Sequence, residues 1–301
     1  MTPAPRTGQI PDVSETASTP IDPTNDIAVL RDWVGRVETV TDRFDPVAVR
    51  RLELTLDRTP TLTAGDPLPP MWHTLAFADV VPHSGLGADG HPRRGGFLPP
   101  VALPRRMWAG SRLRFDAPIP IGETATRTST IEDVVIKHGA SGALCFVTVG
   151  HRIEVDGTTC VTEAQDLVYR DDLAADAPKP TPKPAPTDAE VSETFTPSEV
   201  QLFRYSALTF NGHRIHYDRT YAHDVEGYDG LVVHGPLTAA LLADLAVRTA
   251  GPLHEFSFRG TSPLLDTAPF TIHARRTDEG MALWAANPNG GLAMTATSTH
   301  A

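Results

Sequence analysis

Thr209-Phe210-Asn211-Gly212-His213-Arg214-Ile215-His216-Tyr217-Asp218 gathers two imidazoles, a carboxamide, a guanidinium and a carboxylate into one short segment. His234 follows His216 by 18 positions, inside Gly230-Leu231-Val232-Val233-His234-Gly235-Pro236-Leu237-Thr238. There a glycine-containing turn opens an apolar helix. Proton-transfer groups followed by a helix N-terminus suit chemistry in which a proton moves and negative charge collects on an oxygen. One histidine in a polar loop is usually a surface residue. Two such landmarks in this order are a motif with a mechanism.

Outward from the second landmark, Pro236 to Val247 carries Leu237, Leu241, Leu242, Leu245 and Ala246, and a helix this apolar belongs inside a domain. Strand-like runs follow at Glu255 to Gly260, Phe270 to Arg276, Met281 to Ala286 and Leu292 to Ser298. Before the first landmark, Thr196-Pro197-Ser198-Glu199 opens a helix, with Thr196 as its cap and Val200, Phe203 and Ala207 on one face. Residues 172–189 are rich in Pro, Ala and charge and read as a stiff, extended linker. The linker separates a first unit, residues 27–171, from a second, residues 190–301, after a disordered lead-in over residues 1–26.

The first unit repeats the plan. Ile27 to Trp33 is a short helix stopped near Gly35, and Asp45 caps a better one that starts at Pro46 and runs through Leu54. A long loop follows, from Pro67 to Arg106. Its length favours a functional or covering role. Four strand-like runs close the unit: Arg112 to Ile119, Thr124 to Lys137, Ala143 to Val155 and Thr159 to Tyr169. The fold class is α+β: two antiparallel sheets, each wrapped around a helix.

The chain has 301 residues, 40% of them hydrophobic, enough for large cores. A formal net charge of -11 argues against sequence-independent nucleic-acid binding, which needs a basic face. It leaves room for a local Arg cluster that binds an anion. Cys145 and Cys160 lie in apolar strands with no metal spacing and read as buried free thiols. The first residues carry Asp12 and Glu15 and lack the apolar core of a signal peptide. No run approaches the length of a membrane span. A soluble, cytoplasmic protein without membrane or nucleic-acid partners is the expectation.

The second unit resembles the hot-dog fold of MaoC-like, type-2 (R-specific) enoyl-thioester hydratases and dehydratases. Their signature is Asp-x-Asn-Pro-x-His-x-Asp, with His-Gly at a helix start some eighteen residues on. Here His216 and Asp218 match its His and final Asp, and His234-Gly235 matches the His-Gly. Asn211, His213 and Arg214 stand where the signature has Asp, Asn and Pro. These departures resemble a subgroup with an N-terminal covering domain, which includes mesaconyl-CoA and itaconyl-CoA hydratases and mitochondrial-type 3-hydroxyacyl-thioester dehydratases. In the first unit, Gly87-Ala88-Asp89-Gly90-His91-Pro92, Gly95-Gly96-Phe97-Leu98-Pro99-Pro100 and Leu103-Pro104-Arg105-Arg106-Met107-Trp108 resemble that domain. The resemblance implies a double hot-dog, with a covering unit over residues 27–171 and the catalytic unit over residues 190–301.

It also implies a hydro-lyase acting on an α,β-unsaturated acyl-CoA, short or dicarboxylic, with no cofactor and no metal. Adding water to such a double bond needs a base for the water, an acid for the α-carbon and a donor for the enolate oxygen. Asn211 cannot act as a base near neutral pH. His213 and His216 therefore share the proton work, with Asn211 orienting the water and the amide of Gly235 holding the oxyanion. Arg214 is a candidate grip for a distal carboxylate, a contact for a CoA phosphate, or a surface residue. Arg105, Arg106 and Arg259, along with Arg93 and Arg94, are candidates for the CoA phosphates. Asp89 and His91 form a further acid-base pair inside what is first of all a turn. Trp72, Phe97, Trp108 and Phe210 read as core or tunnel residues. Three other functions stay open: a 3-hydroxyacyl-ACP dehydratase, a hot-dog thioesterase using Asp218, and a non-catalytic acyl-CoA-binding protein. A homodimer of double hot-dogs is left open as well.

Overall fold

The computed structural model describes residues 23–139, 142–171 and 181–301. Residues 1–22 of the expected lead-in and 172–180 of the expected linker lie outside them. The described residues form ten strands, β1 (Val37–Arg43), β2 (Arg105–Phe115), β3 (Thr124–Gly139), β4 (Gly142–Val155), β5 (Thr158–Arg170), β6 (Val191–Phe195), β7 (Leu253–Gly260), β8 (Phe270–Thr277), β9 (Gly280–Ala286) and β10 (Leu292–His300). All pair antiparallel in one sheet of order β1-β3-β4-β5-β2-β7-β10-β9-β8-β6.

The first five strands in that order belong to the N-terminal half and the last five to the C-terminal half. Two hot-dog sheets thus meet edge to edge at β2 and β7, and each covers an edge the other would leave open. The seam runs from Gly110 opposite Arg259 to Arg114 opposite Glu255. A Cβ at Gly110 would lie 2.2 Å from the Phe258 carbonyl oxygen, so the strands approach this closely only because residue 110 is glycine.

Five α-helices accompany the sheet: α1 (Pro23–Arg31), α2 (Pro46–Thr55), α3 (Glu199–Leu208), α4 (Arg219–Asp224) and α5 (Gly235–Ala250). In the C-terminal half, α5 is the central helix. Leu237, Leu241, Leu242 and Leu245 are buried, and the helix packs on β7, β8, β9 and β10. In the N-terminal half, shorter pieces make the core. Val49 and Leu52 of α2 join Met71, Trp72 and Phe77 of the long loop against Leu113 and Ile153 of the sheet and Ile121 of the β2–β3 turn. Leu30 of α1 packs with Val101, Leu103, Ile131 and Val147 in a second cluster.

Several local expectations change. The lead-in stops short of residue 26, because α1 begins at Pro23. The cap of α3 is Ser198 rather than Thr196, with its hydroxyl accepting from the Gln201 amide. Val200 and Phe203 of α3 are exposed, and the inward face is Leu202, Tyr205 and Ser206. Arg105 to Trp108 lie on β2 and not in the preceding loop. Residues 181–189 follow the β9–β10 turn, where the Ala185 amide donates to Gly290 O and Leu292 donates to Lys183 O. Cys145 and Cys160 are free and buried. No helix among the described residues is long and apolar enough to cross a membrane.

Candidate active site

The first landmark folds as a turn after α3. Phe210 takes a left-handed φ of 51° and points to solvent, 63% exposed, so it is neither core nor tunnel. The Asn211 side-chain oxygen accepts from the His213 amide at 3.0 Å, an Asx turn that sends the chain into a short 3-10 helix over Arg214–His216. Asp218 then caps α4, accepting from the Tyr221 amide.

Three imidazoles of the C-terminal half converge. The ring of His216 stacks on that of His234 with centroids 3.7 Å apart, and His213 meets His216 edge-on at 5.5 Å. A fourth comes from the N-terminal half: His91 lies 4.2 Å from His213. The His216 Nδ1 is 2.7 Å from the Val232 carbonyl, so Nδ1 carries the proton and Nε2 is left with its lone pair. His234 Nε2 pairs with Ser206 Oγ at 2.8 Å, and its Nδ1 is buried with no partner. Burial pushes His213 down to about 2 and His216 down to about 4, helped by the neighbouring imidazoles. Burial and the same neighbours push His234 well below its ordinary value. The cluster is neutral at physiological pH.

The turn that carries His91 is locked onto the first landmark. The Arg214 amide donates to Asp89 O at 2.9 Å, and Arg214 Nη1 donates to Ala88 O. Gly90 has a φ of +88°, and a Cβ there would lie 1.9 Å from the Gly212 carbonyl oxygen. The two turns touch backbone to backbone. Asp89 Oδ2 is 2.9 Å from His91 Nδ1, and Asp89 Oδ1 accepts from the His91 amide. Burial alone would raise the Asp89 carboxyl, but the His91 hydrogen bonds and charge outweigh it and hold it well below the usual carboxylate range.

Donor atoms of Asp89, His91 and His213 lie within 4.8 Å of one another, a grouping of metal-ligand type. Asp89 and His91, however, turn their facing atoms to each other at hydrogen-bond distance. They make a bonded pair more naturally than a coordination shell.

Gly235 is the first residue of α5, with His234 as N-cap, so its amide belongs to the turn whose N–H groups have no intrahelical partner. No atom lies within 4 Å of where its Cβ would be. Pro236 beside it lines a cavity of about 250 Å³, together with Asn211, Thr209 and Tyr205. The rest of that cavity is N-terminal sheet and loop: Phe97, Leu98, Trp108, Arg127, His151 and Glu163 among others. A wider groove of about 910 Å³, at Arg112, Arg152 and Glu279, is lined by no residue of either landmark.

The structure brings His216, His213, Asn211 and the Gly235 end of α5 together. It treats the arginines differently. Arg214 is already paired: Nη2 donates to Asp218 Oδ2 at 2.7 Å, and its guanidinium lies 4.2 Å over the Tyr221 ring. An unpaired charge seeking a substrate carboxylate is therefore not what residue 214 presents. Arg105 forms an ion pair with Glu226 at 3.3 Å, both largely buried, and so ties the halves together. Arg94 donates to the carbonyls of Val101, Leu103 and Pro104. Arg106 bears on His91, His213 and Tyr169. Arg259 sits exposed on β7, opposite Gly110.

Sequence reading missed the polar floor of the cavity. His73 Nε2 is 3.2 Å from Glu163 Oε2, Ser111 Oγ donates to Glu163 Oε1 at 2.6 Å, and Trp108 Nε1 donates to Ser111. These residues are scattered over a loop and two strands, so no linear motif announces them.

Residues 71–266 match the family model for hydroxyacyl-thioester dehydratase type 2. This chain belongs to that family. The chain is 47% identical over 270 residues to a mesaconyl-C(4)-CoA hydratase of Chloroflexus aurantiacus, covering 88% of this chain and 95% of that protein. Among solved structures, HtdX of Mycobacterium tuberculosis superposes with a TM-score of 0.63 at 18% identity, covering 87% of this chain and 99% of that one. A conserved M. tuberculosis protein described as a double hotdog fold gives a TM-score of 0.54 at 12% identity, over 88% and 95% of the two chains. The type-2 dehydratase family makes the protein a hydro-lyase, and its architecture is a double hot-dog.

The buried neutral imidazoles set a pH dependence of stability. A histidine held at about 4 in the folded state and about 6.5 unfolded binds more protons when unfolded between those values. Its stabilising contribution is complete above about pH 6.5 and is lost as pH falls toward 4. The Tm is expected to decline steadily from pH 7 to pH 4.5, and a Tm that rises over that range contradicts it.

Proposed function

We propose that this hydro-lyase adds water across the α,β-double bond of a short acyl-CoA that carries a distal carboxylate, of the mesaconyl type, and catalyses the reverse elimination. The observation that carries the reading is the group of neutral imidazoles beside a helix N-terminus, whose chain neighbours Asn211 and Pro236 line a cavity. The 47% identity to a mesaconyl-C(4)-CoA hydratase supports the acyl class.

The thioester carbonyl sits against the Gly235 amide, where enolate charge is stabilised as it forms. The side chain of Asn211, whose oxygen already accepts from the His213 amide, has its NH2 left to hold water. A base in the imidazole group takes one proton from water as the C–O bond forms at the β-carbon. The π electrons move onto the enolate, and the same proton then reaches the α-carbon through His213 and His216. The resting site is neutral, so one proton suffices for the cycle. A thioesterase reading loses its carboxylate, because Asp218 caps α4 and holds Arg214.

Arg127 is the cation for the distal carboxylate. It lines the cavity from β3, with Nε buried and unpartnered and its guanidinium over Phe77 at 5.3 Å. Two carboxyls, Glu38 and Asp79, line the same end. Burial and Asp79 raise the Glu38 carboxyl, while Arg127 draws it down, which places Glu38 within the field of that cation.

Water addition should be measured with crotonyl-CoA, mesaconyl-CoA and itaconyl-CoA. Arg127→Met is expected to lower kcat/KM for mesaconyl-CoA by about 10- to 100-fold, the scale of a lost charge-assisted hydrogen bond. Crotonyl-CoA should change by less than about threefold. Arg214→Leu, by contrast, should affect both substrates alike. Equal losses in Arg127→Met would remove the carboxylate assignment, and no hydration of any of the three substrates would remove the acyl class.

A further inference from the structure

We propose that His91, from the N-terminal half, is the base that takes the proton from water, and that Asp89 is its positioning residue. The pair replaces the carboxylate missing at Asn211. The inference rests on the hydro-lyase reading and names the group that reading leaves open.

A type-2 hydratase signature places a carboxylate in the first landmark, and here that position is an amide. The nearest other carboxylate on that segment, Asp218, is engaged by the α4 amides and Arg214. Asp89 is the carboxylate that remains beside the imidazoles. Its Oδ2 is 2.9 Å from His91 Nδ1, which fixes the His91 tautomer with Nδ1–H toward Asp89 and the Nε2 lone pair free. The His91 ring then lies 4.2 Å from His213, which lies 5.5 Å from His216. One carboxylate thus backs one end of a line of three imidazoles. This is the logic of a base oriented by an acid and stabilised by it when protonated.

The rest of the turn exists to hold this geometry. Gly90 and Gly212 let the two turns touch, and the backbone of Arg214 anchors Asp89 from its carbonyl side. Both oxygens of the Asp89 carboxylate accept from His91, one from its amide and one from its ring. Arg106 and Asp79 are the other charged groups that act on His91, and His91 in turn bears on His213 and His216.

The step balances without a further reactant. An O–H bond of water breaks, its proton goes to His91 Nε2, and the hydroxyl oxygen bonds to the β-carbon. The enolate charge rests on the Gly235 amide while Asp89 stabilises the imidazolium. The proton passes along His213 and His216 to the α-carbon, and His91 returns to neutral.

The test uses the full chain and the enoyl-CoA that wild type hydrates best. His91→Gln is expected to lower kcat by about 100- to 1000-fold with little change in KM. Asp89→Asn keeps the turn, because an amide oxygen can still accept from His91, but removes the charge. It should lower kcat by about tenfold or more, the scale of losing an orienting partner. It should also move the acidic limb of the kcat profile to lower pH, since an imidazolium without its counter-charge loses its proton more readily. A merely structural role would leave that limb in place. His91→Gln with more than half of wild-type kcat, or Asp89→Asn with an unmoved acidic limb, overturns the proposal. So does wild-type activity that is lost to EDTA and restored by Zn²⁺, which would make the same donors a metal site. Failure of wild type to hydrate any enoyl-CoA would instead strike the underlying reading.

Discussion

His216→Ala is expected to lower kcat by about two to four orders of magnitude, with the protein still folded. The side chain is buried, its tautomer is set by Val232, and its ring is flanked by His213 and His234. No neighbouring group can replace it. His234 has one nitrogen bonded to Ser206 and the other enclosed in the interior. Water cannot bridge the gap with a fixed Nε2 lone pair, so the proton path to the α-carbon is broken. The cavity left by the ring also costs some stability, so single-turnover rates should be read beside a melting curve. A variant that folds and keeps wild-type turnover would disprove the role of the first landmark altogether.

Gly90→Ala should also have a large effect, although residue 90 carries no reactive group. Its φ of +88° is strained for any L side chain, and the new methyl would meet the Gly212 carbonyl oxygen at 1.9 Å. Backbone strain and overpacking of this kind cost about 1–3 kcal/mol. The turns must part, and His91 moves with its turn. Displacements near 1 Å in an active site can cost about 100-fold in rate. Turnover should therefore fall by about that factor, far more than the melting temperature indicates. Gly96→Ala, on the same loop with nothing within 4 Å of the new methyl, is the control and should behave as wild type. Similar activity in both variants would mean that the contact between the turns is incidental.

The C-terminal half was legible because its signals are local. The apolar run of α5, the turn chemistry around Asn211 and the strand alternation each sit in one short window. The helix ends and most strands fall within a few residues of the pattern. Misses occur where partners are distant. The exposed Val200 and Phe203 imitate a core face, whereas the true face of α3 includes Ser206, which is buried because His234 meets it across the fold. β1 and β6 are short and alternate only between half-buried and exposed positions, with no fully buried residue, so nothing marks them as strands until β3 and β8 pair with them. The partner of Arg214, Asp218, stands only four residues on, but the short 3-10 turn that brings the two together leaves no periodic pattern in the sequence. The pairing of Asp89 with His91, two residues apart, is visible in the sequence, but the approach of His91 to His213 is not.

Among the described residues the N-terminal half has no helix as long as α5, and its sheet and loop line most of the cavity. This separates two kinds of evolutionary change. Substitutions among Phe97, Trp108, Arg127, His151 and Glu163 can reshape or recharge the chamber without disturbing the imidazole line or the start of α5. The sheet of the N-terminal half can drift toward new acyl chains while the two touching turns that carry His91 and His213 stay under selection for proton transfer. Relatives that handle quite different acids are then expected to differ most along the inner face of β3, β4 and β5, and least between residues 211 and 237.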